Sequence, residues 1–146
     1  MNKRLRIAAL GGAGVLAAGA TVVPAALATP SATSHTLHFT AVTQKQTSLN
    51  KTTFIQDEKD VHNGKIIGYD VIRFHQTSQT TAAGLVAFGS KGGFLYGKLT
   101  LNFNSPIARG PITGGTGAYK GATGTIVGKN LNKAGTRTAV TLKFTT

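Results

Sequence analysis

Only four carboxylates occur in this 146-residue chain, and all four fall between Asp57 and Asp70. Asp70 interrupts an apolar pattern, sharing strand parity with Ile66, Ile72 and Phe74. A carboxyl on a buried face must be hydrogen-bonded, paired with a cation, or protonated. If that face lines a cavity, Asp70 is the best general-acid candidate in the chain. The alternative is a structural acid tied to nearby backbone or to Arg73. Asp57, Glu58 and Asp60 have carboxylates enough to clip a divalent ion, but they lack the glycine and distal glutamate of a calcium-binding loop. Their expected place is a surface turn. Tyr96 shares parity with Lys98, which makes it a candidate for a cavity mouth or a barrel plug. The four histidines have no metal-ligand spacing, and His35 and His38, three apart on a strand, point to opposite faces. No G-x-S-x-G occurs to seat a nucleophilic serine.

The elements that must position these residues are strands. No window of about a dozen residues has helical periodicity, and Thr and Gly dominate after the first 28 residues. Alternation predicts strands over His35–Thr43, Lys51–Gln56, Lys65–Gln76, Thr80–Phe88, Phe94–Phe103, Pro106–Thr113, Gly121–Gly128 and Arg137–Thr145. Asn63-Gly64 is a strong hairpin turn signal. The two prolines of the sixth strand place it at an edge, or make it short or bulged. The fifth strand should bury Leu95, Gly97, Leu99, Leu101 and Phe103. Seven or eight antiparallel strands in so short a chain require a sandwich or a closed barrel. Ala82, Ala83, Gly84, Ala87 and Gly97 would leave space inside it, whereas Leu85, Leu99 and Leu101 would fill it. Both faces of Lys65–Gln76 are apolar, so its outer face is expected to meet a layer of sheet or a neighbouring subunit.

The first 28 residues carry Lys3, Arg4 and Arg6, then an apolar stretch from Ile7 to Ala20, then Ala26-Leu27-Ala28. This is the pattern of a secretory signal peptide cleaved after Ala28. Residues 29–34 are expected to form a flexible leader and residues 35–146 the domain. No stretch reaches the roughly 20 apolar residues of a membrane helix. There is no cysteine, so neither a disulfide nor a thiol lipid anchor is available. The whole chain has a formal net charge of +12, of which +9 remains after the leader. Such a balance favours anionic surfaces such as those of the cell envelope. The basic residues are dispersed, without the Lys/Arg blocks or aromatic interleaving of a dedicated nucleic-acid binder.

The segment Gly114-Gly115-Thr116-Gly117-Ala118-Tyr119-Lys120-Gly121-Ala122-Thr123-Gly124 fails as a phosphate loop: Gly121 follows Lys120 where a Walker loop needs Ser or Thr. Its structural reading is a tight loop between antiparallel strands with Tyr119 packing back as a plug. The same residues resemble the G-G-T-G-x-F-x-x-A-x-G signature of dirigent proteins and their allene oxide cyclase-like relatives. A second likeness lies in Phe54-x-x-Asp57 and Gly64-Lys65-x-x-Gly68-Tyr69-Asp70. Together they span roughly residues 36–144.

The resemblance implies an eight-stranded antiparallel β-barrel, often a homotrimer, with a cavity open at one end. It further implies a small lipophilic or phenolic ligand, no metal and no redox cofactor, and chemistry by cavity shape and a few polar groups. Asp57 is similar in placement to an acid of the dirigent cavity. Thr123 stands where those proteins commonly have arginine, and Arg109, upstream at the neighbouring strand end, could supply the missing guanidinium. The first strand has no acid and the chain no cysteine, which speaks against the cyclisation chemistry of the plant oxylipin branch. Three functions follow: a secreted barrel that binds a ligand and directs its stereochemistry, a cofactor-free cyclase or isomerase, or a structural or surface-interaction protein with a filled lumen.

Overall fold

The computed structural model describes residues 32–146; the expected signal peptide and the first half of the leader, residues 29–31, lie outside them. Eight antiparallel strands follow one another around a closed barrel: β1 (Ser34–Ser48), β2 (Thr53–His62), β3 (Lys65–Gln76), β4 (Thr81–Ser90), β5 (Gly93–Asn102), β6 (Ile107–Gly115), β7 (Thr123–Asn130) and β8 (Arg137–Thr145). Pairing of β8 with β1, Leu37 opposite Leu142 and Phe39 opposite Val140, closes the ring. Closure removes every unpaired strand edge. No helix among the described residues is long and apolar enough to cross a membrane.

Alternation sorts the side chains. Phe39, Ala41, Ile72, Phe74, Phe88, Leu95, Leu99, Ile112, Ile126, Leu142 and Phe144 point inward and are buried. As expected, β5 buries Leu95 and Leu99, but it ends at Asn102, and Phe103, expected on the same buried face, lies past its end and is exposed. Leu85 is instead exposed, with Ala83 and Ala87 on its parity of β4. Large and small residues complement each other inside: a Cβ at Gly84 would meet the Phe74 ring. The expected openings at Gly84 and Gly97 are therefore taken up by Phe74 and Ile126.

Two departures from regularity matter for the site. The sixth strand is not at an edge, because a closed barrel has none; it is accommodated by a bulge opposite Tyr96 and Gly97. Pro111 follows Gly110, whose Cα approaches the Lys98 carbonyl too closely for any side chain. The second departure is in β2. Asp57, Glu58 and Asp60 do not form a surface turn; they lie within the strand, which runs on to His62. The turn is Asn63-Gly64 alone, with φ of 49° and 75°, the left-handed pair that a tight hairpin requires. A bulge between Asp60 and Val61 shifts the β2–β3 register by one residue.

Candidate functional site

Consecutive hairpins put the β2–β3, β4–β5 and β6–β7 connections at one end of the barrel. That end is stoppered. The Gly-rich segment forms a short 3-10 turn, Gly117–Tyr119, which folds Tyr119 back over the lumen. The Tyr119 hydroxyl lies 2.8 Å from the Ser90 hydroxyl, and its ring meets Phe144 edge-on at 5.7 Å. Gly92 lies against the same ring. Gly117, at φ +60°, touches the Gly92 carbonyl, so neither its backbone conformation nor its space admits a side chain. The plug role expected of Tyr119 is what the structure has.

Above this stopper the lumen holds three buried carboxyls. Glu58 lies directly opposite Asp70 across β2–β3, and Asp60 opposite Gly68 one step nearer the plug. Paired residues share a face, so all three point inward. Their exposures are 4% for Glu58, 0% for Asp60 and 5% for Asp70. Glu58 has its donors: the Thr43 hydroxyl donates to Oε1 at 3.1 Å, and the Gln56 amide donates to the same oxygen at 2.6 Å. The Gln56 amide also reaches Thr43 Oγ1 at 2.9 Å. The aspartates have no donor outside the acid cluster: both Asp60 oxygens and Oδ1 of Asp70 are buried with nothing to accept from but a proton shared with a neighbouring carboxyl.

A buried carboxylate without donors is costly, and protonation removes the cost. Burial raises the Asp70 pKa from 3.8 to about 9, with the charges of Asp60 and Glu58 adding to the effect. Asp60 is raised to about 7, chiefly by burial; its hydrogen bond with Asp70 lowers it and the Glu58 charge raises it. At neutral pH Asp70 is therefore a neutral carboxylic acid, able to donate a hydrogen bond.

Asp70 also faces an open volume. A cavity of about 310 Å³ runs from it to the opposite end of the barrel. Its walls are largely apolar: Phe88 lies opposite Asp70 and stacks on Phe39 at 5.2 Å, the pair Phe54 and Phe74 lies four residues further along β2 and β3 toward the open end, and Gln46, Asn130 and Thr136 line it near that end. The volume lies at the lower end of the range of small-molecule sites.

Of the four residues singled out from sequence, the structure places only Asp70 in this constellation. Its alternative partner Arg73 is exposed on the opposite parity of β3. Asp57 registers with Val71, which is 45% exposed, and so belongs to the outer face. Arg109 is exposed, on the opposite parity to cavity-lining Ala108, and directs no guanidinium inward. Tyr96 borders the cavity where β5 meets its bulge, but it is 41% exposed and stacks on outward Phe94 at 6.3 Å. Glu58 and Asp60 were not expected inside. The signal for them was the alternation Phe54, Gln56, Glu58, Asp60, which continues unbroken through the supposed turn.

Fold and site together define a closed eight-stranded antiparallel barrel, plugged at one end, with an acid-bearing apolar lumen. The same barrel occurs in a pyocyanin demethylase, at TM-score 0.63 and 16% identity, covering 75% of this chain and 99% of that one. An exo-specific intermolecular Diels-Alderase matches at TM-score 0.65 and 8% identity, over 78% of this chain and 99% of that one. A pterocarpan synthase dirigent protein matches at TM-score 0.60 and 17% identity, over 84% of this chain and 93% of that one. The chain thus shares the dirigent-type barrel fold expected from its Gly-rich signature. No protein-family model and no curated protein matches its sequence.

Proposed function

We propose that the protein is an exported dirigent-like barrel that takes one small lipophilic or phenolic molecule into its lumen and fixes its orientation against Asp70. The observation that carries this reading is the largely apolar cavity ending on a 5%-exposed carboxyl, whose burial raises its pKa. Apolar walls supply affinity, and Asp70 with the few other polar groups of the lining supplies orientation. A neutral acid in a dry pocket holds a hydrogen bond to a ligand oxygen, or passes it a proton as a bond rearranges. The proteins of similar fold include a Diels-Alderase and a pterocarpan synthase dirigent protein, which supports a lumen that orients a reacting molecule. A cofactor-free cyclase or isomerase is the catalytic form of the same reading.

Export rests on the first 28 residues, and an anionic envelope surface is the partner that the net charge of +12 favours. Self-association as a homotrimer is supported by an apolar outer strip across β3, β4 and β5, where Tyr69 is 60%, Leu85 56% and Phe94 50% exposed.

Native mass spectrometry of the protein purified from culture medium tests these points together. The expected spectrum has a subunit mass beginning at Thr29, a trimer, and a discrete small-molecule adduct that Ala108→Leu, which fills the cavity, removes. An adduct that persists in Ala108→Leu would place the ligand outside the lumen. A protein that takes up no small aromatic molecule would favour the filled-barrel, surface-protein reading.

A further inference from the structure

The charge of the lumen is opposite to that of the protein around it. The chain carries 16 basic residues against four acids, yet three of the four acids are turned inward together. Among the described residues that line the cavity there is no Lys, Arg or His. The groups facing Asp70 are Glu58 and Asp60 from β2, the Thr43 hydroxyl from β1 and the Phe88 ring from β4. No cation answers the three carboxyls from any of these strands.

What is missing from the site is also one-sided. The orphan atoms, both oxygens of Asp60 and Oδ1 of Asp70, are all carboxyl oxygens. Three neighbouring carboxyls have more acceptor sites than their shared protons fill. A ligand that brings only acceptors, a carboxylate or phosphate above all, adds repulsion and satisfies none of them. A ligand that brings N–H donors and a positive charge answers both deficits. The walls favour the same ligand, because aromatic faces attract a desolvated cation.

We propose that the lumen selects lipophilic molecules bearing a protonated amine, seated with its N–H groups on the Asp70 carboxyl. The proposal rests on the lumen-binding reading and narrows its ligand class. Binding is a proton exchange: the ammonium group enters, the Asp70 carboxyl gives up its proton, and the proton leaves to solvent. The ion pair that forms is buried, where its attraction is little screened. Since the empty site holds its Asp70 proton to about pH 9, affinity for a cation rises with pH below that value, by up to about tenfold per unit.

The test uses three probes of one ring system: 1-naphthylmethylammonium, 1-naphthylmethanol and 1-naphthoate. Each is titrated calorimetrically into the protein at about pH 6, 7 and 8, in buffers of different protonation enthalpy. The ammonium probe is expected to bind at least about tenfold more tightly than the alcohol at pH 8. Its affinity should rise with pH while a proton is released, and the naphthoate should not bind. Asp70→Asn, checked for folding by thermal denaturation, should abolish the preference and the proton release. Ala108→Leu keeps all three acids and should lose the ammonium and alcohol probes together. Equal or tighter binding of the alcohol, or a pH-independent ammonium affinity, would overturn the amine selectivity and leave the lumen as a binding site. Failure of every probe to bind would overturn the lumen-binding reading itself, and this inference with it.

Discussion

The two ends of the barrel solve opposite problems. At the plugged end, glycines remove space: Gly93, Gly115 and Gly117 bring backbone onto backbone, and Tyr119 fills what remains. Polar groups of the Gly-rich loop pair with the β4–β5 hairpin beside it, as in the Tyr119–Ser90 pair and the Thr116 hydroxyl that accepts from Phe94 N–H at 3.1 Å. Toward the open end space is kept, and the unpartnered acids lie at the boundary between the two halves. Asp60 and Asp70 sit where the packed half gives way to the cavity. One end is built for stability, and the other retains an electrostatic cost of the kind that marks functional sites.

The largest effect expected from breaking this contrast lies in the plug. Gly117→Val puts a β-branched side chain at φ +60° against the Gly92 carbonyl. The cost should exceed about 4 kcal/mol, a large share of a domain's stability, and urea denaturation will read it. Tyr119→Ala opens the stopper for about 3 kcal/mol by the same measurement. Tyr119→Phe keeps the ring and loses only the Ser90 hydrogen bond, about 1 kcal/mol.

The middle of the barrel should respond in the other direction. Asp60→Asn removes one of three crowded acids and offers an N–H donor to its neighbours. At about pH 8 it should stabilise the fold by about 1–3 kcal/mol, and at about pH 4 the gain should vanish. The sign follows from the raised pKa values. Asp60 and Asp70 titrate at about 7 and 9 in the folded protein against 3.8 when unfolded, so the native state holds more protons between those limits. Stability is then greatest below about pH 4 and declines as pH rises through 9. A melting temperature flat from pH 4 to 9 would contradict this.

The smallest effect on stability belongs to the open end. Ala108→Leu fills cavity rather than displacing packed atoms, so its folding free energy should stay within about 1 kcal/mol of the parent. Its ligand binding should nevertheless be lost.

These two ends were not equally legible in the sequence. The plug could be read directly, because tight turns leave a local record: Gly114-Gly115-Thr116-Gly117 and Tyr119 are neighbours in the chain. Lys65–Gln76 and Arg137–Thr145 were legible to the residue for the same reason, since strand alternation is local. The acid site depends instead on register. Counting back from the Asn63-Gly64 turn sets Asp57 opposite Asp70, which agrees with the expectation that Asp57 lies in the cavity. The bulge at Asp60 and Val61 moves that pairing by one, bringing Glu58 opposite Asp70 and turning Asp57 outward. No side chain announces the bulge. Arg109 misled similarly: it is near the site in sequence order, but the parity of β6 aims it at solvent.

The central claim is that the lumen keeps Asp70 protonated at neutral pH, and a titration of its side-chain carboxyl carbon by NMR, assigned with Asp70→Asn, tests it most directly. The account predicts a midpoint near 9 in the free protein, and a downward shift when Asp60 is replaced by Asn. A midpoint near 4 would show a hydrated and ionised carboxylate, and would contradict the dry, acid-bearing lumen on which the proposed function rests.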